Sequence, residues 1–289
     1  MEFFRYPYYS NIMGKGGSRR ETATWLIDDR KQNVFGKSAV MREDFYDIKS
    51  QPMITLEAFY GKKATLVKKC IVLFSKVIYD HVLHTFSCEQ IARIGACNGD
   101  IPIWSFQHQG EKVAFYLSPM GSALAGGTIA EANHLTGANQ FIMFGSCGSL
   151  DHTKTDGKFI LPVEAYRGEG MSYYYAPPGD YIQVSQAQTL ERIFRTLQIP
   201  YICGRVWTTD SILRETVNLV EQRKKEGCLA VEMELAGVQA VCDFYGWKVY
   251  DFLATGDVLA ENHYDMTGLN DANHNLNKFE IALAICERI

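Results

Sequence analysis

Asp257 follows the apolar run FLATG, which places a carboxyl group at the open end of a strand beside an apolar wall. Burial disfavours the charged form of a carboxyl and raises its pKa, so an acid held there near neutral pH can donate to a leaving group. An Asp that only caps the next loop is the plainer alternative. VEMELAG (231–237) places Glu232, Met233 and Glu234 at the mouth of a helix that buries Leu235, Val238, Val241 and Cys242. A carboxylate at such a point can accept two hydrogen bonds from a vicinal diol, and the neighbouring thioether offers a soft apolar surface to a sugar ring. Acids also favour the first turn of any helix through its macrodipole. Trp207, three residues before Asp210 in VWTTDS, offers an aromatic face to a planar heterocycle and would equally well fill a core. In GSCG, Cys147 has no His partner nearby, so the hydroxyl of Ser146 is the more interesting group. His263 and Asp265 form an H-x-D pair with His274 further on, but no third ligand has convincing spacing, and they read as solvated loop residues with no metal.

Four segments that follow strands, SPMGSALAGG (118–127), FGSCGSL (144–150), VEMELAG (231–237) and ATGDVLAEN (254–262), occur in an order that resembles the nucleoside phosphorylase superfamily. That group includes purine nucleoside phosphorylase, uridine phosphorylase and methylthioadenosine nucleosidase. The resemblance runs from about residue 69 to residue 289, and VEMELAG followed by a strand and GD is its most specific part. It implies a purine-directed catalytic acid at Asp257, ribose held by Glu234 and Met233, and the base lined by Trp207, where relatives carry a Phe. Ser146, with the turn at Met120 and Gly121, is expected to face the ribose or the nucleophile. The residues after Asp210, SILRETVN, lack the Gln and Arg pair by which uridine phosphorylases read a pyrimidine, which favours a purine. The implied activity is cleavage of the N-glycosidic bond of a nucleoside with release of the free base, and the implied assembly is a homo-oligomer.

The acceptor side departs from the family. Phosphorolysis needs a cage for a dianion, commonly built from arginines and glycine-rich backbone. Phe74, Ser75 and Lys76 stand where a GDP-x-R-like turn is expected, Met143 stands where a second Arg precedes the GS/T-x-G turn, and the segment around CNGDIPIW supplies no third. Desolvating phosphate without a charged partner is unfavourable, so water is favoured over phosphate as the acceptor. Nucleosidases of the family carry a Glu shortly after the first strand, and FSKVIYD has none; Asp80 and Lys76 are the nearest charged groups. Three readings therefore stand: a nucleosidase, a phosphorylase with an altered site using phosphate as co-substrate, and a silent nucleoside-binding or storage protein. No cofactor is implied.

These groups must be positioned by alternating strands and helices. CIVLF, KVAFYL, QFIMF, GKFILPVEAYR, YICGRVWTTD and KVYDFLATGD read as strands, with FGSCGSL closing in a turn. SALAGGTIAEANHLTG closes as a helix on Gly137; SQAQTLERIFRTLQI, ETVNLVEQRKKEG, LAVEMELAGVQAVCDFYGW and NLNKFEIALAICERI also read as helices. The alternation predicts an α/β three-layer sandwich, a central mixed β-sheet flanked by helices, with ligands beyond the carboxyl ends of the strands. Residues 1–60, rich in charge, Tyr and Gly, read as an N-terminal extension that wraps a neighbour, and 61–289 as the catalytic domain.

With 29 Lys and Arg against 33 Asp and Glu, the net charge of -4 leaves no cationic excess to hold a nucleic acid. Eight cysteines without a CxxC pair read as reduced thiols. The first residues lack the basic-then-apolar pattern of a secretory signal, and no run approaches the roughly 18 apolar residues of a membrane span. The expected setting is cytoplasmic, with a small nucleoside as partner and no membrane.

Overall fold

Residues 46–47, 50–260 and 263–289 are described by the structure, a computed structural model. Most of the expected extension lies outside them. Thr55 caps a short helix, α1 (Leu56–Tyr60), by accepting the Ala58 N–H at 3.2 Å. The Tyr60 hydroxyl then donates to Glu131 at 2.7 Å and accepts the Gly95 N–H at 3.1 Å, fastening this turn to the body of the protein.

The chain continues as β1 (Lys69–Leu73), α2 (Lys76–Thr85), β2 (Glu89–Ile94), β3 (Ile101–His108), β4 (Glu111–Leu117) and α3 (Ser122–Thr136). Next come β5 (Gln140–Ser149), α4 (His152–Thr155), β6 (Phe159–Gly168), β7 (Tyr181–Gln183), α5 (Ala187–Thr196) and β8 (Tyr201–Thr209). It ends with α6 (Val217–Lys225), β9 (Cys228–Glu232), α7 (Leu235–Tyr245), β10 (Lys248–Ala260), β11 (His263–Asp265), α8 (Leu269–His274) and α9 (Asn277–Cys286).

Side-chain alternation along the strands builds two cores. Cys70 and Val72 of β1, Phe141 and Met143 of β5, and Val249 and Leu253 of β10 face one side, where α3 and α7 cover them. Ile71 and Leu73, Ile142 and Phe144, and Tyr250 and Phe252 face the other, covered by α2, α5 and α9. This is the expected mixed sheet between two helical layers. Among the described residues, no helix is long and apolar enough to cross a membrane.

Strand β5 lies parallel to both β1 and β10. Beyond β1, the sheet runs through parallel β4 into the antiparallel β4–β3–β2 meander. The β3–β4 turn is formed by Gln109 and Gly110, both at positive φ (48° and 82°), the geometry of a tight hairpin. Beyond β10 the sheet passes through β6, β8 and β9, and β9 pairs back onto the end of β5 at Gly148 and Ser149. The strands β5, β10, β6, β8 and β9 therefore close a ring.

Three expectations change here. FGSCGSL does not turn: β5 continues to Ser149 because β10 and β9 pair with its two edges. Gly148 serves close approach, since a Cβ there would lie 2.5 Å from Leu259 and 3.0 Å from Val231. LAVEMELAGVQAVCDFYGW is not one helix, since its first residues form the fully buried β9 and only Leu235–Tyr245 is helical. A short apolar run in a buried strand is indistinguishable by periodicity from a buried helical turn. The polar segment after residue 262 is structured as β11 and α8.

Candidate active site

The carboxyl ends of β1, β4, β5, β9 and β10 converge on a cavity of about 310 Å³, which Met120, Ser146, Met233, Glu234 and Asp257 all help to line. At the β9–α7 junction, Glu232 acts as a lock. One of its oxygens accepts the N–H groups of Glu234 and Leu235, each at 2.7 Å, and the other accepts the Thr208 hydroxyl. Thr208 Oγ1 in turn accepts the Ala236 N–H at 3.0 Å. Ser122 of α3 donates to the Glu234 carbonyl (2.9 Å) and accepts the Gly237 N–H (3.0 Å). The clamp requires a glycine at 237, where a Cβ would meet Ser122 Oγ at 2.4 Å.

Held in this way, Glu234 accepts the Gly121 N–H at 2.7 Å on one oxygen and the Met233 N–H at 3.3 Å on the other. Gly121 can present that N–H because it adopts φ 97°, a conformation open to glycine. Burial raises the carboxyl pKa of Glu234 and the two backbone donors pull it down. Glu232 is raised by burial first and by the charge of Glu234 second. Each carboxylate oxygen can take a further donor, so Glu234 is equipped to hold a diol.

Asp257 lies on β10 just past a bulge. Thr255 is paired with Cys147 and Asp257 with Gly148, so Gly256 is the extra residue. Such a bulge re-aims the side chain that follows it. Asp257 is 6% exposed. Burial pushes its carboxyl above the ordinary range, opposed by a hydrogen bond from the Tyr264 hydroxyl. Glu215, also on the cavity wall, is pushed up to about 7 by burial and then by the charge of Asp257. A larger, more apolar groove adjoins this end and shares Ile212 and Glu215 with the cavity.

At the opposite wall, Ser75 caps α2 by accepting the Ile78 N–H at 3.2 Å, and its hydroxyl lies 2.9 Å from His274 Nδ1. Ser146 donates to Asn273. Lys278 of α9 lines the same region, 2% exposed, with burial pushing its ammonium down to about 8.

A family model described as the phosphorylase superfamily matches residues 98–286, well over half of the 289-residue chain. The chain belongs to the phosphorylase superfamily. Membership places it among enzymes that cleave N-glycosidic bonds. Solved structures share its fold. A futalosine hydrolase of Helicobacter pylori strain 26695 superposes with a TM-score of 0.63 at 14% identity, covering 78% of this chain and 99% of that one. A 5′-methylthioadenosine/S-adenosyl homocysteine nucleosidase of Campylobacter jejuni gives 0.63 at 15% identity, covering 77% and 100%. The corresponding Helicobacter pylori nucleosidase, complexed with a compound joining an aminopyrrolopyrimidine to a pyrrolidinol, gives 0.61 at 16% identity, covering 77% and 99%.

Of the residues singled out in this superfamily member's sequence, Asp257, Glu234, Met233, Ser146 and Met120 share one cavity, with Gly121 bound to Glu234 behind it. Trp207 does not join them. It is 4% exposed and packs with Leu150, Val220, Cys228, Val231 and Leu259 in a small separate core. Strand parity explains the difference: in β8 the Thr208 side chain meets Glu232, so the side chain of Trp207 points the other way. Lys76 pairs with Asp80 on the exposed face of α2 (2.5 Å), and Met143 is buried in the core. Cys147 is buried with its thiol donating to the Ala254 carbonyl at 3.6 Å, and desolvation holds it protonated. Asp265 accepts the Thr267 N–H at 2.9 Å, and no group of three metal-binding side chains converges among the described residues.

Sequence reasoning missed Glu215, Asn273, His274, Lys278 and the locking role of Glu232. His274 was expected in a solvated loop and instead lines the cavity at the end of α8. Lys278 left a signal: Ile281, Ala282 and Ile285 follow it at spacings of three, four and seven, so it is a cation on the buried face of α9.

Proposed function

We propose that this protein cleaves the N-glycosidic bond of a purine nucleoside and releases the free base, with water as the acceptor. The observation that carries the reading is the pairing of two differently prepared carboxyl groups in one cavity, Glu234 and Asp257. Glu234 receives backbone donors, which favour an accepting carboxylate, and is set to take the ribose hydroxyls while Met233 packs on the sugar. Asp257 is buried, which favours the protonated form, and is set to donate to the departing base. Cleavage passes through an oxocarbenium-like state, so protonating or hydrogen-bonding the base as the bond lengthens stabilises the leaving group most where charge develops. Water then adds to the anomeric carbon.

Water is preferred because no Arg lines the cavity among the described residues. The fold neighbours titled as hydrolase and nucleosidases are consistent with that choice. A homo-oligomer belongs to the same proposal. Met120 (70% exposed) and the exposed Ile212 and Leu213 lie at the cavity rim and the adjoining groove, where a neighbouring subunit would cover them.

The deciding experiment incubates the pure protein with adenosine, inosine, guanosine and methylthioadenosine, with and without phosphate, and separates the products. Free base with free sugar regardless of phosphate establishes the nucleosidase. Base released only with phosphate replaces water by phosphate as acceptor. Intact nucleoside retained without cleavage would leave a binding or storage protein.

A further inference from the structure

The groove beside the cavity is unused by the cleavage chemistry at the glycosidic bond. It holds about 600 Å³ against about 310 Å³ for the cavity, and the two share Ile212 and Glu215. One face of α6 forms a wall, since Val220, Glu221 and Lys224 follow Val217 at spacings of three, four and seven. Leu259 of β10 and Tyr264 of β11 form another. Lys224 joins the two, donating through Nζ to the Leu259 carbonyl at 2.9 Å. Val220 and Leu259 are buried members of the small core that holds Trp207, which gives the groove a packed floor. Val217 and Leu213 stand exposed at its rim. An apolar concavity left open to water marks a place where an apolar group binds.

The base end of the cavity determines which group that is. In a purine nucleoside the imidazole nitrogen free to take the Asp257 proton is N7, and the group on C6 is its neighbour on the side away from the sugar. Tyr264 bonds Asp257 and lines the groove, while Glu215 faces the charge of Asp257 and lines both spaces. A base presenting N7 to Asp257 therefore directs its C6 substituent past Tyr264 and Glu215 into the groove. Burial and the charge of Asp257 favour the neutral form of Glu215, so this junction opposes an apolar group less than an ionised carboxylate does. The cavity alone lies at the low end of the roughly 300–1,000 Å³ range of small-molecule sites, room for a nucleoside without a long appendage.

We propose that the groove is the subsite for an alkyl or aryl group on the exocyclic C6 nitrogen of the purine, so that N6-substituted adenosines are the preferred substrate class. The orientation of the base rests on the cleavage reading above, whereas binding of the apolar group is measurable without turnover. Val220 and Leu259 at the floor and Val217 and Tyr264 on the walls receive the substituent. A neighbouring subunit that reaches only Ile212 and Leu213 at the rim closes the groove over that group. One inserted as far as Val220 excludes it, and a substrate series decides between the two.

The test uses the full-length protein with adenosine and its N6-methyl, N6-ethyl, N6-propyl, N6-butyl and N6-benzyl derivatives, reading affinity by calorimetry and base release by chromatography. Affinity and kcat/KM should rise about 2- to 4-fold for each methylene from methyl to butyl, the upper figure corresponding to full burial. The same alkyl groups at C2, which points away from N7, should bring no gain. Val217→Asp places a charge on the groove wall and should remove most of the advantage of N6-butyladenosine over adenosine, while Val217→Ile should keep it. An acid suits this position, the first of α6, so the Asp variant is expected to fold, and adenosine measured on the same sample checks it. Equal affinity along the N6 series with adenosine still cleaved, an equal gain from C2 groups, or an undiminished gain in Val217→Asp overturns the subsite while leaving base release intact. Rising affinity along the N6 series without base release from any member upholds the subsite and sinks the cleavage reading. Failure to bind any of these nucleosides sinks both.

Discussion

Replacing Asp257 by Asn separates the proposed acid from every other role in the cavity. Asn has nearly the same volume, and its carbonyl can still accept the Tyr264 hydroxyl that now bonds Asp257. It touches neither the Gly121–Glu234 contact nor the Glu232 lock, so substrate binding should persist. What is lost is a transferable proton at the leaving base. General acid catalysis contributes about 10²- to 10⁴-fold, which corresponds to roughly 3–5 kcal/mol of barrier. The expected result is a fall of that size in kcat for a purine nucleoside with KM changed by less than about 3-fold, the pattern of an interaction made in the transition state. Base release followed by chromatography measures it. An aryl riboside such as p-nitrophenyl riboside provides the control, because its leaving group departs without protonation, so the variant should process it nearly as well as the parent. Equal losses on both substrates, or parental kcat on the nucleoside, would refute the assignment. The pH dependence carries the same logic. The protonated form is the active one and burial raises its pKa, so kcat should fall as pH rises through the folded value. Glu215, pushed up to about 7 by burial and then by the charge of Asp257, is itself uncharged while Asp257 titrates, so Glu215→Gln should leave that limb in place.

Glu234→Gln keeps the Gly121 contact and loses the charge that strengthens diol hydrogen bonds, so kcat/KM should drop about 10- to 100-fold; a 2′,3′-dideoxynucleoside should show no such loss, and steady-state kinetics on both substrates checks this. Trp207→Phe should lower stability by about 0.5–3 kcal/mol without altering which base is released, measured by denaturant melts and by competition between nucleosides; a changed base preference would place the ring in the cavity after all. Asp251 is fully buried with neither oxygen hydrogen-bonded among the described residues, and burial, with Glu232 and Glu234 nearby, holds its pKa well above the usual carboxylate range. The unfolded chain releases this proton near pH ~4, so the group costs nothing below that value and stability is lost as pH rises toward the folded pKa. Asp251→Asn cannot ionise in either state, so its melting temperature relative to the parent should be higher at about pH 8 than at about pH 5; an equal difference at both values would contradict the linkage.

The elements legible in the sequence were those specified by neighbouring residues. The CIVL of CIVLF sits in β1 with every residue buried and Phe74 follows half-buried, and α3 stops at Gly137 in the left-handed conformation, as the Gly after HLT indicated. β2 and β3 were not read because β2 is an edge strand with exposed charged positions, so the strand alternation is blurred. The turn expected in FGSCGSL failed for a non-local reason. Glycine marks a turn when the chain is considered alone, but here it marks the place where β9 and β10 crowd β5 from both edges. Trp207 was equally compatible with a core and a base platform. The pairing of its neighbour Thr208 with Glu232, twenty-four residues away in sequence, decided between them.

The same distinction divides the site. The positions of Glu234 and Asp257 were legible because each sits in a short motif at a strand end. Their ionisation preferences were not, because the groups that set them come from elsewhere: Gly121 lies 113 residues before Glu234, and the Tyr264 hydroxyl reaches Asp257 from β11. The two carboxyl groups acquire different tasks through those partners. Backbone donors aimed at Glu234 reward the charged acceptor, and burial penalises charge on Asp257. The acceptor end shows the extreme case, since Ser75, Ser146, Asn273 and Lys278 belong to β1–α2, β5, α8 and α9, and no motif joins them. Phe74, Ser75, Lys76 and Met143 leave the expected arginine positions without an arginine, while the buried Lys278 stands on the last helix, where only the fold brings it to the cavity.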